Sequence, residues 1–221
     1  MFSEEFKENI IHGREEVNIE YKDSMSWNDR MTKLWTIRAI LALANSPGKG
    51  FLIFGVKQEG EEFIPRGMQD AHYRSFKHDS ISKKLRSYAD PCPEIKVHSH
   101  ELDLIEGDKK KMNKFIIITV EESNILPVIC LKTERKNRDN PSFLKNIELR
   151  KSAVYIRRGT PVESAEIVDS HEWRELIDKI ASNYARDLFK KMPCKYFKGT
   201  IMPKVSGKTK FKAELKGDGY E

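Results

Sequence analysis

The sequence predicts an α+β fold, with a mixed and mainly antiparallel sheet packed against helices. Three observations lead to this class. Segments with the alternating pattern of strands mix with segments of helical period, and no regular βαβ rhythm appears. The alternating segment 94–106 is followed, across a short polar stretch, by the apolar segment 114–122, which indicates an antiparallel hairpin. The continuous apolar run 51–56 is typical of a fully buried strand.

The N-terminal part of the chain contains helix and strand candidates in alternation. Residues 3–12 begin with a serine N-cap and acids in the first turn, which predicts a helix. Residues 16–22 alternate and predict a half-buried strand. A second helix is predicted from Ser26 to about Ala44, and its apolar second half indicates a buried position.

The remaining elements continue this mixture of short strands and helices. In chain order we expect a hairpin turn at 57–70, a helix at 80–89, the long hairpin with a loop at 107–113, a strand at 126–131, a basic loop at 132–146, a strand at 153–159 and a helix at 169–192.

The chain of 221 residues is long enough for one main domain with a sizeable core. We expect that domain at 1–168, a C-terminal helix at 169–192, and a basic tail or the start of a further segment at 193–221. The acidic N-terminus lacks the apolar run of a signal peptide, and no stretch is long enough to span a bilayer. Three widely spaced cysteines argue against a disulfide framework. These features predict a soluble intracellular protein, cytoplasmic or nuclear, without a membrane partner.

The charge is distributed unevenly along the chain, whose formal net charge is +6. Residues 1–25 contain seven acids and three bases, whereas residues 132–158 contain nine bases and three acids. Residues 186–221 contain ten bases and four acids. The basic middle and tail favour a polyanionic partner, RNA or DNA.

Four segments, taken in order, resemble the Schlafen/AlbA-type family of DNA-binding domains. They are EEVNIEYKDS, AILALANSPGKGFLIFGV, ILPVIC and VYIRRGTPVESA. The resemblance covers roughly residues 13–168 and implies an α+β fold with a sheet that faces nucleic acid. In eukaryotic Schlafens a carboxylate trio of this domain cleaves transfer and ribosomal RNA with a divalent metal. Many microbial members of the family are DNA-binding or regulatory modules.

The resemblance also implies candidate catalytic residues. The two glutamates of the family, five positions apart, correspond to Glu15 and Glu20, and its lysine corresponds to Lys22. The third carboxylate commonly follows a Gly-Val pair, where this chain has Lys-Gln, so Glu59 or Asp23 is the substitute. The resemblance therefore implies Glu15, Glu20 and Glu59 as ligands of Mg²⁺ or Mn²⁺.

Strand geometry limits which acids of this cluster act together. Residues four apart on one strand face, such as Glu16 and Glu20, are about 13 Å apart and cannot share an ion. Glu15 approaches Glu20 only if the chain bends before the strand begins. A solvated acidic edge, with Lys22 simply paired with Glu20, is the alternative to a metal site.

Candidate nucleic-acid contacts concentrate in the basic middle of the chain. Tyr155 and Arg157 share one face of a predicted strand, which suits base stacking combined with phosphate contact. Lys49 lies in a glycine-rich turn that is not a Walker A loop, because no Gly-Lys-Ser/Thr ends it. The remaining predicted contacts are cationic: Arg135, Lys136, Arg138, Arg150, Lys151 and Arg158.

A zinc site made of Cys92, His98, His100 and Cys130 is a weaker alternative, since their spacing matches no compact ligand motif. The predicted function is nucleic-acid binding that requires no cofactor. The first alternative is a metal-dependent endoribonuclease that cleaves structured RNA. The second is a scaffold or defence-system component whose basic faces bind a protein partner. Whether the chain forms a homodimer is left open by the sequence.

Overall fold

The computed structural model describes residues 16–106, 109–123, 127–135, 147–159 and 162–191. Five predicted features lie outside these residues: the helix at 3–12, Glu15, Lys136, Arg138 and the tail from residue 193.

Short strands and a few helices make up the described chain. The strands are β1 Ile19–Lys22, β2 Gly50–Phe54, β3 Val56–Glu59, β4 Glu62–Pro65, β5 Ala89–Asp90, β6 Ile95–Glu106, β7 Lys109–Val120, β8 Ile129–Cys130, β9 Glu134–Arg135, β10 Ile147–Leu149, β11 Tyr155–Arg158 and β12 Glu163–Glu166. The helices are α1 Arg30–Asn45, α2 Asp70–Tyr73, α3 His78–Arg86 and α4 Ser170–Lys191.

The centre of the fold is a sheet with the strand order β1-β2-β7-β6. β1 runs parallel to β2, whereas β7 pairs antiparallel with both β2 and β6. The sheet is therefore mixed and mainly antiparallel, and the predicted α+β class is confirmed. β1 and β6 form its two edges, so the acidic strand of the sequence analysis is an edge strand.

Helix α1 covers one face of this sheet, because almost all of its second half is apolar. Its buried side chains pack against Leu52 and Ile116 in the main core. The helix begins later than predicted, since Asp29 rather than Ser26 is the N-cap. The Asp29 carboxylate accepts a hydrogen bond from the Thr32 N–H at 2.7 Å and satisfies one of the free donors of the first turn.

The opposite face of the sheet carries a second, smaller core. Ile19, Ile53 and Ile117 are buried there. The hairpin β3–β4, which confirms the predicted turn region, covers part of this face, with the rings of Tyr21 and Phe63 5.0 Å apart. Both faces of the sheet are thus at least partly buried.

The long hairpin β6–β7 has a shorter connection than predicted. β7 begins at Lys109, so residues 109–113, expected in a loop, pair with β6. Further along the hairpin Lys114 lies opposite Glu101, and the two side chains form an ion pair at 4.0 Å. Opposite charges on paired strands stabilise a sheet.

The basic segment 132–146, predicted as a loop, begins within a strand pair. β9 at its start pairs antiparallel with β10 immediately after it. The pairing brings the two basic stretches of the sequence, around Arg135 and around Arg150, to the same part of the domain. Next along the chain, β11 pairs antiparallel with β12, a strand that the sequence pattern did not indicate.

Asn45, the last residue of α1, forms hydrogen bonds with three backbone groups from two other segments of the chain. Its Nδ2 donates to the carbonyl oxygens of Val128 at 2.9 Å and Tyr155 at 3.0 Å, and its Oδ1 accepts from the Val128 N–H at 2.8 Å. Asn45 is 2% exposed, so these groups have no access to water in its absence. One side chain therefore substitutes for secondary structure where α1, β8 and β11 meet.

The helix α4 is fastened to the end of α1 by a lysine. Lys179 Nζ donates to the carbonyl oxygens of Asn45 at 3.0 Å and Ser46 at 2.5 Å. These oxygens lie at the carboxyl end of α1, where a positive charge is favourable. Burial lowers the pKa of Lys179, and the nearby Glu122 carboxylate opposes that effect.

The chain divides into two compact units, Met1–Tyr184 and Ala185–Glu221. Within the parts of the chain that the structure describes, no helix combines the length and apolar character needed to cross a membrane.

We expect Asn45→Ala to lower the free energy of unfolding by about 3 kcal/mol, because three buried backbone groups lose their partner. Urea denaturation followed by circular dichroism measures the loss. Asn28→Ala is the matched control, since Asn28 is exposed and its replacement leaves no buried group unpaired. Equal stability of the two variants would contradict the role assigned to Asn45.

Candidate nucleic-acid interface

A buried ion pair joins the sheet edge to the β11–β12 hairpin. Glu20 Oε2 accepts hydrogen bonds from Arg157 Nη1 at 2.7 Å and Ser164 Oγ at 2.6 Å. Glu20 Oε1 lies 2.6 Å from Lys22 Nζ, and Arg157 Nη2 donates to the Ile19 carbonyl at 2.9 Å. Glu20 is 4% exposed. Each carboxylate oxygen is thus occupied by protein donors.

The surroundings of Glu20 keep it ionised although it is buried. Burial by itself raises the pKa of a carboxyl group, because the charged form loses its water. The Lys22 and Arg157 cations, with hydrogen bonds from Lys22 and Ser164, outweigh burial and hold the pKa of Glu20 below its ordinary value of 4.5. The carboxylate is therefore a fixed negative charge that neutralises Arg157.

This arrangement does not fit the metal site that the resemblance implies. A hard divalent ion needs several carboxylate oxygens on one centre, and those of Glu20 are already engaged. Glu59, the substitute third ligand, forms ion pairs with Lys57 and Arg66 at 2.8 Å each. Among the residues that the structure describes, no group of three or more His, Cys, Asp or Glu side chains is placed to hold a metal ion. The catalytic role of Glu15, Glu20 and Lys22 stays a prediction.

The cysteines and histidines considered for zinc have separate environments. Cys130 is buried and Cys92 is exposed, and both are free thiols whose pKa is raised by partial burial. The rings of His98 and His100 lie 6.4 Å apart on β6, and partial burial lowers the pKa of each. Among the described residues, none of the four belongs to a group of three or more His, Cys, Asp or Glu side chains that could hold a metal ion.

The prediction that Tyr155 and Arg157 form a face that stacks on bases and contacts phosphate is wrong. The two side chains do share one strand face, but that face packs inward against α1 and the sheet edge. Tyr155 is 4% exposed, and its hydroxyl accepts a hydrogen bond from the Arg150 N–H at 2.9 Å. The Arg157 side chain is 1% exposed. Neither side chain is accessible to a nucleic acid in the folded domain.

Other predicted contacts are charge-compensated at the surface. Each forms an ion pair with a nearby carboxylate: Lys49 with Glu121 at 3.3 Å, Arg150 with Glu166, and Arg158 with Glu172. Such cations attract a polyanion less strongly, because their field is partly cancelled by the acid beside them.

A different group of cations lies together at one side of the domain. Lys84 at the end of α3 and Lys132 after β8 both lie over the ring of Tyr88, with Nζ to centroid distances of 4.9 and 5.1 Å. The Lys151 N–H donates to Thr133 Oγ1 at 3.1 Å, which brings the turn after β10 beside Lys132.

Arg135 lies on β9, three residues after Lys132. Its carbonyl accepts a hydrogen bond from Arg30 Nη2 at 2.5 Å, which holds β9 at the start of α1. Within the described residues none of Lys84, Lys132, Arg135 and Lys151 pairs with an acidic side chain. These four residues are called the basic surface below. The sequence prediction included Arg135 and Lys151 but missed the other two. The lysine-rich end of the predicted helix 80–89 was the available signal for Lys84, and the basic segment 132–146 was the signal for Lys132.

Arg157→Met is expected to lower the free energy of unfolding by about 3–5 kcal/mol, since it leaves the buried carboxylate of Glu20 without one of its two cationic partners. Chemical denaturation measures the change. Arg174→Met, at an exposed position of α4, is the matched control and should be near neutral. Adding Glu20→Gln to Arg157→Met should recover part of the loss, and no recovery would contradict the pairing.

The same ion pair predicts a pH dependence of stability. Because the pKa of Glu20 is lower in the folded than in the unfolded state, its contribution is complete above the unfolded value and disappears as pH falls through the folded value. The difference in unfolding free energy between the parent chain and Glu20→Gln should therefore be constant above about pH 5.5 and shrink in stronger acid. A difference that grows on acidification would contradict the assignment.

Comparisons with known proteins give the family of this chain. A family model described as Schlafen, AlbA_2 matches residues 15–166. The crystal structure of the DIP2311 protein from Corynebacterium diphtheriae is similar over 72% of this chain, with 16% identity and a TM-score of 0.38, and the chain spans 23% of that protein's length. No curated protein matches significantly. Because the family model covers most of the chain, from β1 to β12, the protein belongs to the Schlafen AlbA_2 family.

Proposed function

We propose that this Schlafen AlbA_2 domain binds nucleic acid through the basic surface, Lys84, Lys132, Arg135 and Lys151. The observation that carries the proposal is the gathering of four cations, from α3, β9 and the segments beside β8 and β10, without acidic partners among the described residues. Family membership supports a nucleic-acid-related function only in this coarse sense.

The lack of acidic partners gives these cations their affinity for phosphate. A lysine that binds a phosphate releases condensed counterions from the nucleic acid, which supplies most of the free energy of non-specific binding. A cation that is already paired with a carboxylate must first break that pair before it binds a phosphate. Lys49 and Arg150 are cations of this kind. The free energy of binding is therefore largest where cations are unpaired.

The backbone around Tyr88 holds the basic surface in place. The Leu131 N–H donates to the Tyr88 carbonyl at 2.8 Å, and the Tyr88 hydroxyl donates to Glu134 Oε1 at 2.6 Å. These bonds connect the end of α3 to the strand that carries Arg135. The segment 136–146, which lies outside the described residues, contains Lys136, Arg138 and Lys145.

The aromatic residues near the basic surface are buried, which limits the mode of binding. Tyr88 is 1% exposed and Tyr155 is 4% exposed, so neither ring is available to stack on a base. Contacts of lysine and arginine with phosphate carry no direct sequence information. We therefore expect binding with strong salt dependence, modest sequence preference and no requirement for a divalent metal.

The test compares the parent chain with the double variant Lys132→Gln/Lys151→Gln. Fluorescence anisotropy with labelled RNA and DNA, in EDTA and over a salt series, measures the dissociation constant. Removing two phosphate contacts should weaken binding at low salt and reduce the slope of log K against log salt by about 1.4–1.8. The effect should be similar for unrelated sequences.

The matched control is Lys57→Gln/Lys96→Gln, which removes the same charge from two lysines that form surface ion pairs elsewhere. It should change affinity much less. Equal weakening by both double variants would indicate a response to net charge alone and would contradict a localised site. Absence of binding to either nucleic acid at low salt would favour the scaffold alternative.

A further inference from the structure

The turn between β10 and β11 carries Lys151, and its backbone is strained at Ser152. Residues 150–153 form a β-turn that is closed by a hydrogen bond from the Ala153 N–H to the Arg150 carbonyl at 3.2 Å. Ser152 occupies the third position with a φ of 65°, and among the described residues it is the one non-glycine residue with a positive φ. A positive φ at this position is characteristic of type II turns, in which glycine is the usual residue because a Cβ atom crowds the backbone.

The fold does not require a side chain at position 152. Backbone groups connect the turn to β8: the Ser152 N–H donates to the Cys130 carbonyl at 2.7 Å, and the Cys130 N–H donates to the Ala153 carbonyl at 2.9 Å. The Lys151 N–H donates to Thr133 Oγ1 at 3.1 Å. A glycine at position 152 would form the same backbone bonds with less strain. A strained residue whose side chain has no part in packing therefore points to a role outside the fold.

The Ser152 hydroxyl lies at the surface next to two other hydrogen-bond donors. Ser152 is exposed, and in the described part of the chain its hydroxyl has no hydrogen-bond partner. Lys151 precedes it, and the Thr133 hydroxyl, which accepts from the Lys151 N–H, still has its own proton to donate. Serine and threonine hydroxyls are common donors to phosphate oxygens in nucleic-acid complexes, together with lysine and arginine.

We propose that the 150–153 turn and Thr133 hold one phosphate group of the bound nucleic acid, with the Ser152 hydroxyl as an uncharged donor beside the Lys151 ammonium. The inference rests on the proposed function, because the phosphate belongs to the nucleic acid that the basic surface attracts. It adds two residues, Thr133 and Ser152, to the four cations of that surface. These hydroxyls fix the position of a phosphate, whereas the cations supply the attraction.

A hydroxyl contact and a lysine contact contribute to binding in different ways. A lysine that neutralises a phosphate releases counterions, and the number of such lysines sets the slope of log K against log salt. A hydroxyl carries no charge, so its hydrogen bond adds affinity without changing that slope. The loss of one hydrogen bond to a charged group should weaken binding about three- to thirtyfold at every salt concentration.

The variants Ser152→Ala and Ser152→Gly test the proposal together. Fluorescence anisotropy with labelled RNA and DNA over a salt series measures affinity, and urea denaturation followed by circular dichroism measures stability. Both variants should weaken binding by a similar factor with the salt slope of the parent chain, because both lack the hydroxyl. Only Ser152→Gly should raise the urea midpoint, because only glycine relieves the strain of the positive φ. A purely structural role of Ser152 would instead make affinity follow stability, and that result would overturn the proposal.

Ser182→Ala, which removes an exposed hydroxyl from α4, is the matched control and should bind as the parent chain does. If Lys132→Gln/Lys151→Gln weakens binding while Ser152→Ala binds normally, the phosphate contact of the turn is wrong and the basic surface stands. A slope reduced by Ser152→Ala as much as by the lysine variant would also contradict an uncharged contact. A parent chain that binds neither nucleic acid at low salt would overturn the proposed function and this inference with it.

Discussion

The ion pair between Glu20 and Arg157 is the interaction that joins the edge of the sheet to the β11–β12 hairpin. It crosses from the edge strand of the sheet to a hairpin more than 130 positions later in the chain, with both side chains almost fully buried. An isolated charge at such a place costs several kcal/mol, so each partner is tolerated only because the other is present. The pair thereby removes the most conspicuous acid and the most conspicuous arginine of the sequence from contact with any ligand in the folded domain.

The other cations of this basic chain also differ in whether a nearby carboxylate compensates their positive charge. Lysines and arginines on the sheet edge, on β11 and on the turn before β2 form ion pairs with carboxylates. These carboxylates cancel much of the electric field of the cations. The basic surface differs because, among the described residues, none of its four cations forms an ion pair with a carboxylate. Tyr88 has a structural role there, since its ring supports two lysines and its hydroxyl holds Glu134. The net charge of +6 is therefore less informative than the positions at which charge is left uncompensated.

Helix α4 combines two separate tasks on two of its sides. One side fastens it to the domain through a buried leucine, an ion pair to β11 and a lysine that satisfies the carboxyl end of α1. The other side is apolar and exposed. The packing of the domain does not need the second side.

Sequence by itself determined the fold class, the buried strand β2, the apolar helix α1, the long hairpin and the family, because these follow from local periodicity and from motifs in a fixed order. It also placed Tyr155 and Arg157 correctly on one face of β11. Periodicity does not determine whether such a face is turned towards solvent or towards the interior. Only the tertiary structure decided the orientation of this face. Burial against α1, the partner Glu20 and the cross-strand match of Lys114 with Glu101 depend on residues far apart in sequence. The basic surface likewise exists only because Tyr88 and Thr133 bring lysines from three segments together, and no pattern along the chain records that proximity.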